Sequence, residues 1–83
     1  MKERRSKLEI IGAVLSVARN GARKTEIVYR TNLNFTQLAS YIQYLEEKKF
    51  LEIFDHTFKT TAKGKDFLRD YQNLRDVLLT EEA

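Results

Sequence analysis

The sequence has no cysteine and no proline among its 83 residues, and only three glycines and one histidine. Without cysteine, neither a disulfide nor a thiolate metal site can form. His56 has no second histidine or cysteine to join it, so a metal or catalytic role is not expected. No apolar run approaches the roughly 20 residues of a membrane span, and no apolar segment follows the basic start, as a signal peptide requires. These absences predict a cytoplasmic protein.

Patterns typical of enzymes are also missing. The sequence has no nucleophile paired with a base, no glycine-rich phosphate loop and no paired buried carboxylates. We therefore expect neither an enzyme nor a cofactor, and no small-molecule ligand. A chain this short buries only about 60% of its unfolded surface, and without disulfides or metals its remaining source of extra stability is association with a second copy.

Charge is distributed unevenly along the chain. Residues 1–31 hold eight basic against three acidic residues, a net of +5, whereas residues 66–83 hold two against five, a net of −3. A basic front and an acidic tail predict one end that meets a polyanion and one that does not. A solvated surface with a chance asymmetry is the alternative.

The first helix is predicted from a capping box, Ser6 to Glu9, followed by an apolar run that ends at Asn20-Gly21. Gly12 inside this helix is unfavourable by about 1 kcal/mol relative to alanine, so another backbone is expected to pass close to it.

Two further helices are separated by about three residues. Thr25 is the expected cap of a short helix over about 25–31. Asn34, with Gln37 three positions later, is the expected cap of a longer helix over about 35–48. The inward stripe of this third helix is Leu38, Ile42 and Leu45. The arrangement is a helix-turn-helix.

The segment "FLEIFDHTFKTT" alternates with period two and predicts a hairpin turning at Asp55-His56. Its register pairs Ile53 with Phe58, Leu51 with Thr60, Glu52 with Lys59 and Phe54 with Thr57. Leu51, Ile53 and Phe58 then share one face, and the opposite charges Glu52 and Lys59 pair on the other. Thr61 is the expected cap of a last helix.

This order of elements, and the segments "KTEIVYRTNLNFTQLASYIQYLEEKKFLE" and "FKTTAKGKDFLRDY", resemble an archaeal winged helix-turn-helix family of predicted transcriptional regulators. The resemblance covers roughly Leu8 to Leu78 and extends to dimeric archaeal chromatin proteins joined through a C-terminal coiled coil. It implies a mainly α fold with a β-hairpin wing and a C-terminal dimerisation helix. The expected divisions are an arm over 1–6, the winged domain over 7–65 and the dimerisation helix over 66–83.

In that family the third helix enters the major groove, and here its outward face carries uncharged hydrogen-bonding groups that can bond base edges. Ordinary surface or packing residues are the alternative. Predicted base-reading residues are Thr36, Gln37, Ser40, Tyr41, Gln43 and Tyr44. Predicted phosphate-binding residues are Arg4, Arg5, Arg23, Lys24, Arg30, Lys48 and Lys59. The predicted wing tip is Asp55, His56 and Thr57.

The last helix carries the stripe Phe67, Tyr71, Leu74 and Leu78, with the spacing of a coiled-coil seam. The stripe either packs wholly on the first helix or pairs its distal half with a second chain. The sequence thus favours a homodimeric transcriptional regulator on double-stranded DNA, located on the nucleoid. A chromatin protein with little sequence preference, an adaptor that binds protein, and RNA binding through Tyr44 and Phe54 are the alternatives.

Overall fold

In the part of the chain that the structure describes, four helices pack with a small three-stranded sheet that leaves one face to solvent. The computed structural model describes the backbone of residues 5–82 and the side chains of residues 5–79. The elements, in chain order, are α1 (Lys7–Val17), β1 (Ala22–Arg23), α2 (Lys24–Thr31), α3 (Phe35–Glu47), β2 (Leu51–Phe54), β3 (Thr57–Thr60) and α4 (Ala62–Glu82). The predicted mainly α fold with a hairpin wing is confirmed. None of the helices described is long and apolar enough to cross a membrane.

Local side-chain caps start α1, α3 and α4. The Ser6 hydroxyl accepts from the Glu9 amide at 3.1 Å, and the Glu9 carboxylate accepts from the Ser6 amide at 2.9 Å, which confirms the box on α1. The Thr61 hydroxyl accepts from the Gly64 amide at 3.0 Å at the start of α4. The prediction of Thr25 as a cap was wrong. Helix α2 begins at Lys24, and its N-cap is Arg23, which makes no side-chain cap bond.

The turn between α2 and α3 is closed by local bonds. Asn32 adopts the left-handed conformation (φ 63°), and its amide donates to the Val28 carbonyl at 2.9 Å. The Thr31 hydroxyl donates to the Ile27 carbonyl at 2.6 Å. Leu33 is buried and so fixes the middle of the turn to the core. The three residues that separate the helices agree with the predicted helix-turn-helix.

The hairpin has the predicted register in all four pairs. Asp55 and His56 both have positive φ, 54° and 63°, as the favoured two-residue hairpin turn requires. The short strand β1 was not predicted. It pairs with β3, Ala22 opposite Phe58 and Arg23 opposite Thr57, and gives the strand order β1-β3-β2.

The core lies between α1, α2, α3, the inner face of the sheet and the first turns of α4. Leu38, Ile42 and Leu45 are buried as the inward stripe of α3. Leu51 and Phe58 are buried, but Ile53 on the same face is 46% exposed, because the hairpin extends beyond the core before its strands end. Fully buried members include Leu15, Ile27, Leu38, Leu45, Leu68, Val14 and Thr60.

Two glycines in helices permit close contacts of different kinds. A Cβ on Gly12 would lie 2.7 Å from Cε2 of Tyr71, so its close neighbour is an α4 ring and not the expected backbone. A Cβ on Gly64 would overlap the carbonyl oxygen of Phe50. The close backbone approach is therefore at Gly64, where α4 starts across the segment that leads into β2.

The predicted seam of α4 divides between two environments. The ring of Phe67 stacks on that of Phe50 with centroids 5.0 Å apart, and Tyr71 packs on α1 beside Gly12. Leu74 and Leu78 are 56% and 53% exposed. The helix runs unbroken past residue 65, and Leu68 belongs to the core. Phe67 and Tyr71 thus contribute to packing within their own chain, but the stripe does not pack wholly on α1, as the first of the two predicted alternatives required.

Candidate nucleic-acid interface

The outward face of α3 is rich in uncharged polar side chains. Because Leu38, Ile42 and Leu45 hold the opposite side in the core, helical spacing turns Thr36, Ser40 and Gln43 to the solvent. Five of the six predicted base-reading residues are exposed, and only Tyr41 is half-buried. Glu47 lies on the same outward face one turn beyond Gln43, so the carboxyl end of α3 is the part least suited to a polyanion.

Gln37 has a structural task that restricts it as a reader of bases. Its side-chain oxygen accepts from the Asn34 amide at 3.1 Å, while Asn34 Oδ1 accepts from the Gln37 amide at 2.7 Å. A glutamine that bonds adenine bidentately uses both its oxygen and its nitrogen. Such a contact would break half of the box that starts α3.

One side of α3 faces α1 across an open groove of about 650 Å³. The groove divides the predicted reading set, since Tyr41 and Tyr44 line it whereas Thr36 and Gln43 do not. The Tyr44 ring also has Nζ of Lys48 5.5 Å from its centroid. The residues that line the groove are Lys7, Leu8, Ile11, Gln37, Ser40, Tyr41 and Tyr44. The α1 members were not predicted, because only the tertiary fold brings α1 to the other side of this groove.

Exposed cations lie at the amino end of α2 and on the wing. Arg23 is both the end of β1 and the N-cap of α2, and Lys24 is its first helical residue. Amide groups at such a helix start are free to bond an anion. Lys59 is exposed on β3, next in the sheet to Glu52.

Other predicted phosphate ligands lie on other segments of the chain. Arg30 lies 3.7 Å from the carboxylate of Glu26, so a phosphate would have to compete with this ion pair. Arg5 is exposed ahead of α1. Arg4 and most of the predicted arm over 1–6 lie outside the described residues.

The wing tip consists of the exposed turn Asp55-His56. Thr57 is half-buried, begins β3, and donates from its hydroxyl to the Asp55 carbonyl at 3.4 Å. It therefore belongs to the strand and shapes the turn.

Comparison with protein families decides the classification. A family model described as "Winged helix-turn-helix" matches residues 4–79. The chain belongs to the winged helix-turn-helix family. This membership agrees with the prediction from the order of elements, and with the expectation that the chain is not an enzyme.

This winged helix-turn-helix chain has archaeal relatives. The uncharacterized protein MJ0287 of Methanocaldococcus jannaschii is 28% identical over 76 residues, which cover 90% of this chain and 78% of that protein. The uncharacterized protein MJ0290 of the same organism is 31% identical over 72 residues, 86% of this chain and 34% of that protein. The chain thus spans about a third of the length of MJ0290.

A solved structure shares the fold of this winged helix-turn-helix chain. It is that of Sso10a-2, a DNA-binding protein from Sulfolobus solfataricus, with a TM-score of 0.76 and 21% identity. The match covers 94% of this chain and 90% of that one. The shared fold therefore extends over nearly the whole of this chain.

Within the described part of this winged helix-turn-helix chain, no group of three or more histidine, aspartate or glutamate side chains is placed to hold a metal ion. Candidate binding surfaces among the described residues include the α3 face, the groove beside it, the wing and the exposed half of α4.

Proposed function

We propose that this chain binds double-stranded DNA as a homodimeric transcriptional regulator with a sequence preference, and that α3 enters the major groove. The observation that carries the proposal is the exposed face of Thr36, Ser40 and Gln43 on a helix whose other side is fixed in the core. Short neutral side chains can approach base edges without the repulsion that carboxylates suffer from phosphates. The structural match to Sso10a-2, a DNA-binding protein, supports the same class of partner.

Arg23 and Lys24 supply the phosphate contacts in this proposal. They stand where amides of the α2 amino end are free to bond anions, and such contacts set position and not sequence. Arg30 contributes less, since Glu26 already pairs with it. A nucleoid location follows from the same proposal.

The dimer in this proposal forms through the exposed half of α4. Leu74 and Leu78 line a shallow depression together with Leu8 of α1, so an apolar strip with Glu9 and Arg75 beside it reaches from α4 to α1. A second copy that covers this strip removes it from water. A symmetric dimer would then present two α3 helices to half-sites about 34 Å apart.

Binding to a labelled random-sequence duplex at several salt concentrations tests the proposal. Fluorescence anisotropy should give a log–log salt slope of several units, about 0.9 for each phosphate contact. Ser40→Ala should reduce the preference for a selected site over random DNA by roughly tenfold, the effect of about one base contact. Arg23→Ala should weaken both duplexes equally.

Each variant has a matched control on a surface without an assigned role in binding. Ser16→Ala removes an exposed hydroxyl from α1, and Arg69→Ala removes a cation already paired with Asp66 and Asp70. Neither should change binding or preference. A loss of preference in Arg23→Ala, with none in Ser40→Ala, would refute the assigned roles.

An adaptor that binds protein is the second candidate, and the groove between α1 and α3 favours it. Leu8, Ile11 and Tyr41 give that groove an apolar lining of a kind that DNA does not require. Absence of binding to any duplex at low salt would leave this candidate in place of the first.

A further inference from the structure

The solvent face of the sheet carries an aromatic side chain in line with a cation. Arg23 is the cross-strand partner of Thr57, and Thr57 is the partner of Phe54. Because directly opposed residues share one face of a sheet, Arg23, Thr57 and Phe54 form a row across β1, β3 and β2. This row lies on the face opposite the buried Phe58 and Thr60.

Phe54 is the most exposed residue of the wing strands that is large and apolar. It is 81% exposed, stands last in the edge strand β2 and is followed at once by the turn Asp55-His56. A ring so exposed adds little to the packing of its own fold. An apolar side chain at the end of an edge strand also invites aggregation, which makes a function in binding the better explanation.

Charge does not dominate the surroundings of the ring. Arg23 and Lys59 on the solvent face are balanced by Glu52 on that face and Asp55 in the turn. The end of the wing therefore presents an apolar surface. Arg23, the cation of the row, lies at the opposite edge of the sheet.

The spacing of the row suits a nucleic-acid duplex. Two interstrand steps place Arg23 and Phe54 about 10 Å apart, while a minor groove is about 6 Å wide and 7.5 Å deep. If the Arg23 side chain binds a phosphate at the edge of the groove, the Phe54 ring can therefore reach the base pairs. Arg23 also marks the amino end of α2, which adds amide donors to the same anchor.

We infer that Phe54 enters the minor groove of the bound duplex and wedges between two base pairs, so that the DNA bends. Apolar side chains inserted in this way partly unstack a base step and bend the duplex towards the major groove. The inference rests on the proposed function, since it requires DNA as the partner. It adds a contact that involves neither α3 nor a charged side chain.

Bending and unstacking are measured directly on the complex. A duplex of about 30 base pairs carries fluorophores at its two ends for energy transfer, and a second duplex carries 2-aminopurine at the base step beside the α3 site. Binding of the full chain should raise the transfer efficiency and the 2-aminopurine fluorescence. Phe54→Ala should abolish both changes and weaken binding roughly 10- to 100-fold, the loss expected for an uncovered aromatic side chain.

Two variants separate the wedge from a general loss of aromatic surface. Tyr29→Ala removes a ring that is 86% exposed on α2, and it should leave affinity and bend unchanged. Phe54→Leu keeps an apolar wedge and should restore part of the bend. Both sites are exposed, so the variants should fold like the parent.

Three results would overturn the inference. Duplex binding with no bend by the parent chain refutes the wedge alone and leaves the proposed function standing. A bend that persists in Phe54→Ala assigns the deformation to another contact, and the ring then serves a different partner. Absence of duplex binding by the parent chain at low salt refutes the proposed function together with the wedge.

Discussion

At the scale of single residues, Gly64 is the position where the fold leaves least room for a side chain. An alanine Cβ there would overlap the Phe50 carbonyl oxygen and lie 2.7 Å from Cγ2 of Thr60. The Phe50 carbonyl is held in place because it accepts from the Thr61 amide at 3.0 Å. We therefore expect Gly64→Ala to lower the free energy of unfolding by about 2 kcal/mol, although alanine favours a helix by about 1 kcal/mol.

Urea denaturation of the parent and the variant measures this difference. Lys65→Ala, at the exposed next position of α4, is the control and should stay within about 0.5 kcal/mol of the parent. Gly12→Ala should be less harmful than Gly64→Ala, because it meets the outer edge of the Tyr71 ring and not a backbone. A Gly64→Ala variant as stable as the parent would show that the two segments can separate.

Residues whose partners are close in sequence could be predicted. The caps Ser6, Asn34 and Thr61 bond amides three positions away, so their spacing alone indicates them. The neighbour of Gly12 is a ring of α4, an element far along the chain. No local pattern contains that information.

At the scale of elements, the wing is joined to α1 by Thr60. Its amide donates to the Ala18 carbonyl at 3.0 Å, and its hydroxyl donates to the Leu15 carbonyl at 2.7 Å. Both acceptors lie at the carboxyl end of α1, where carbonyls lack partners within the helix. Thr60 is 1% exposed, so these bonds are shielded from water.

Replacing Thr60 with valine keeps the shape and removes the hydroxyl. The buried Leu15 carbonyl then loses that partner, and we expect the free energy of unfolding to fall by about 1–3 kcal/mol. Thermal or urea denaturation checks the value, with the exposed Thr25→Val as the matched control. Equal stability of the two variants would mean that water reaches the carbonyl in place of the hydroxyl.

The hairpin register could be predicted because alternation of polarity and opposed charges agreed on one pairing, Glu52 with Lys59 among them. Strand β1 could not, since two residues are too few to show alternation. Helix α2 was predicted with its start one residue late, because Thr25 is a good cap by type while the turn into α2 is set by the pairing of Arg23 with β3.

At the scale of the whole molecule, the exposed half of α4 governs the proposed assembly. This half carries four apolar side chains that are each more than half exposed: Leu74, Val77, Leu78 and Leu79. We expect the mass in solution to be twice the 9.8 kDa of the chain. Leu74→Lys should shift the protein to the monomer, because a buried ammonium without a partner opposes association.

Analytical ultracentrifugation over a range of concentrations measures this shift. Asn73→Lys adds the same charge one position earlier, on an exposed side chain outside the stripe, and should remain dimeric. A parent chain that is monomeric at high concentration would refute the dimer. The division of the stripe itself could not be predicted, since Phe67 and Tyr71 have the same spacing whether α1 or a second chain covers them.

The hydrogen bonds at the base of the wing have a consequence for recognition. Thr60 ties the hairpin to the end of α1, and Thr61 bonds the carbonyls of Lys49 and Phe50 ahead of β2. Wing and helices are thus preorganised, and little conformational entropy remains to be lost on association. In a complex the partner therefore has to change its shape. A partner that deforms readily should bind more tightly than a stiff one of the same chemistry.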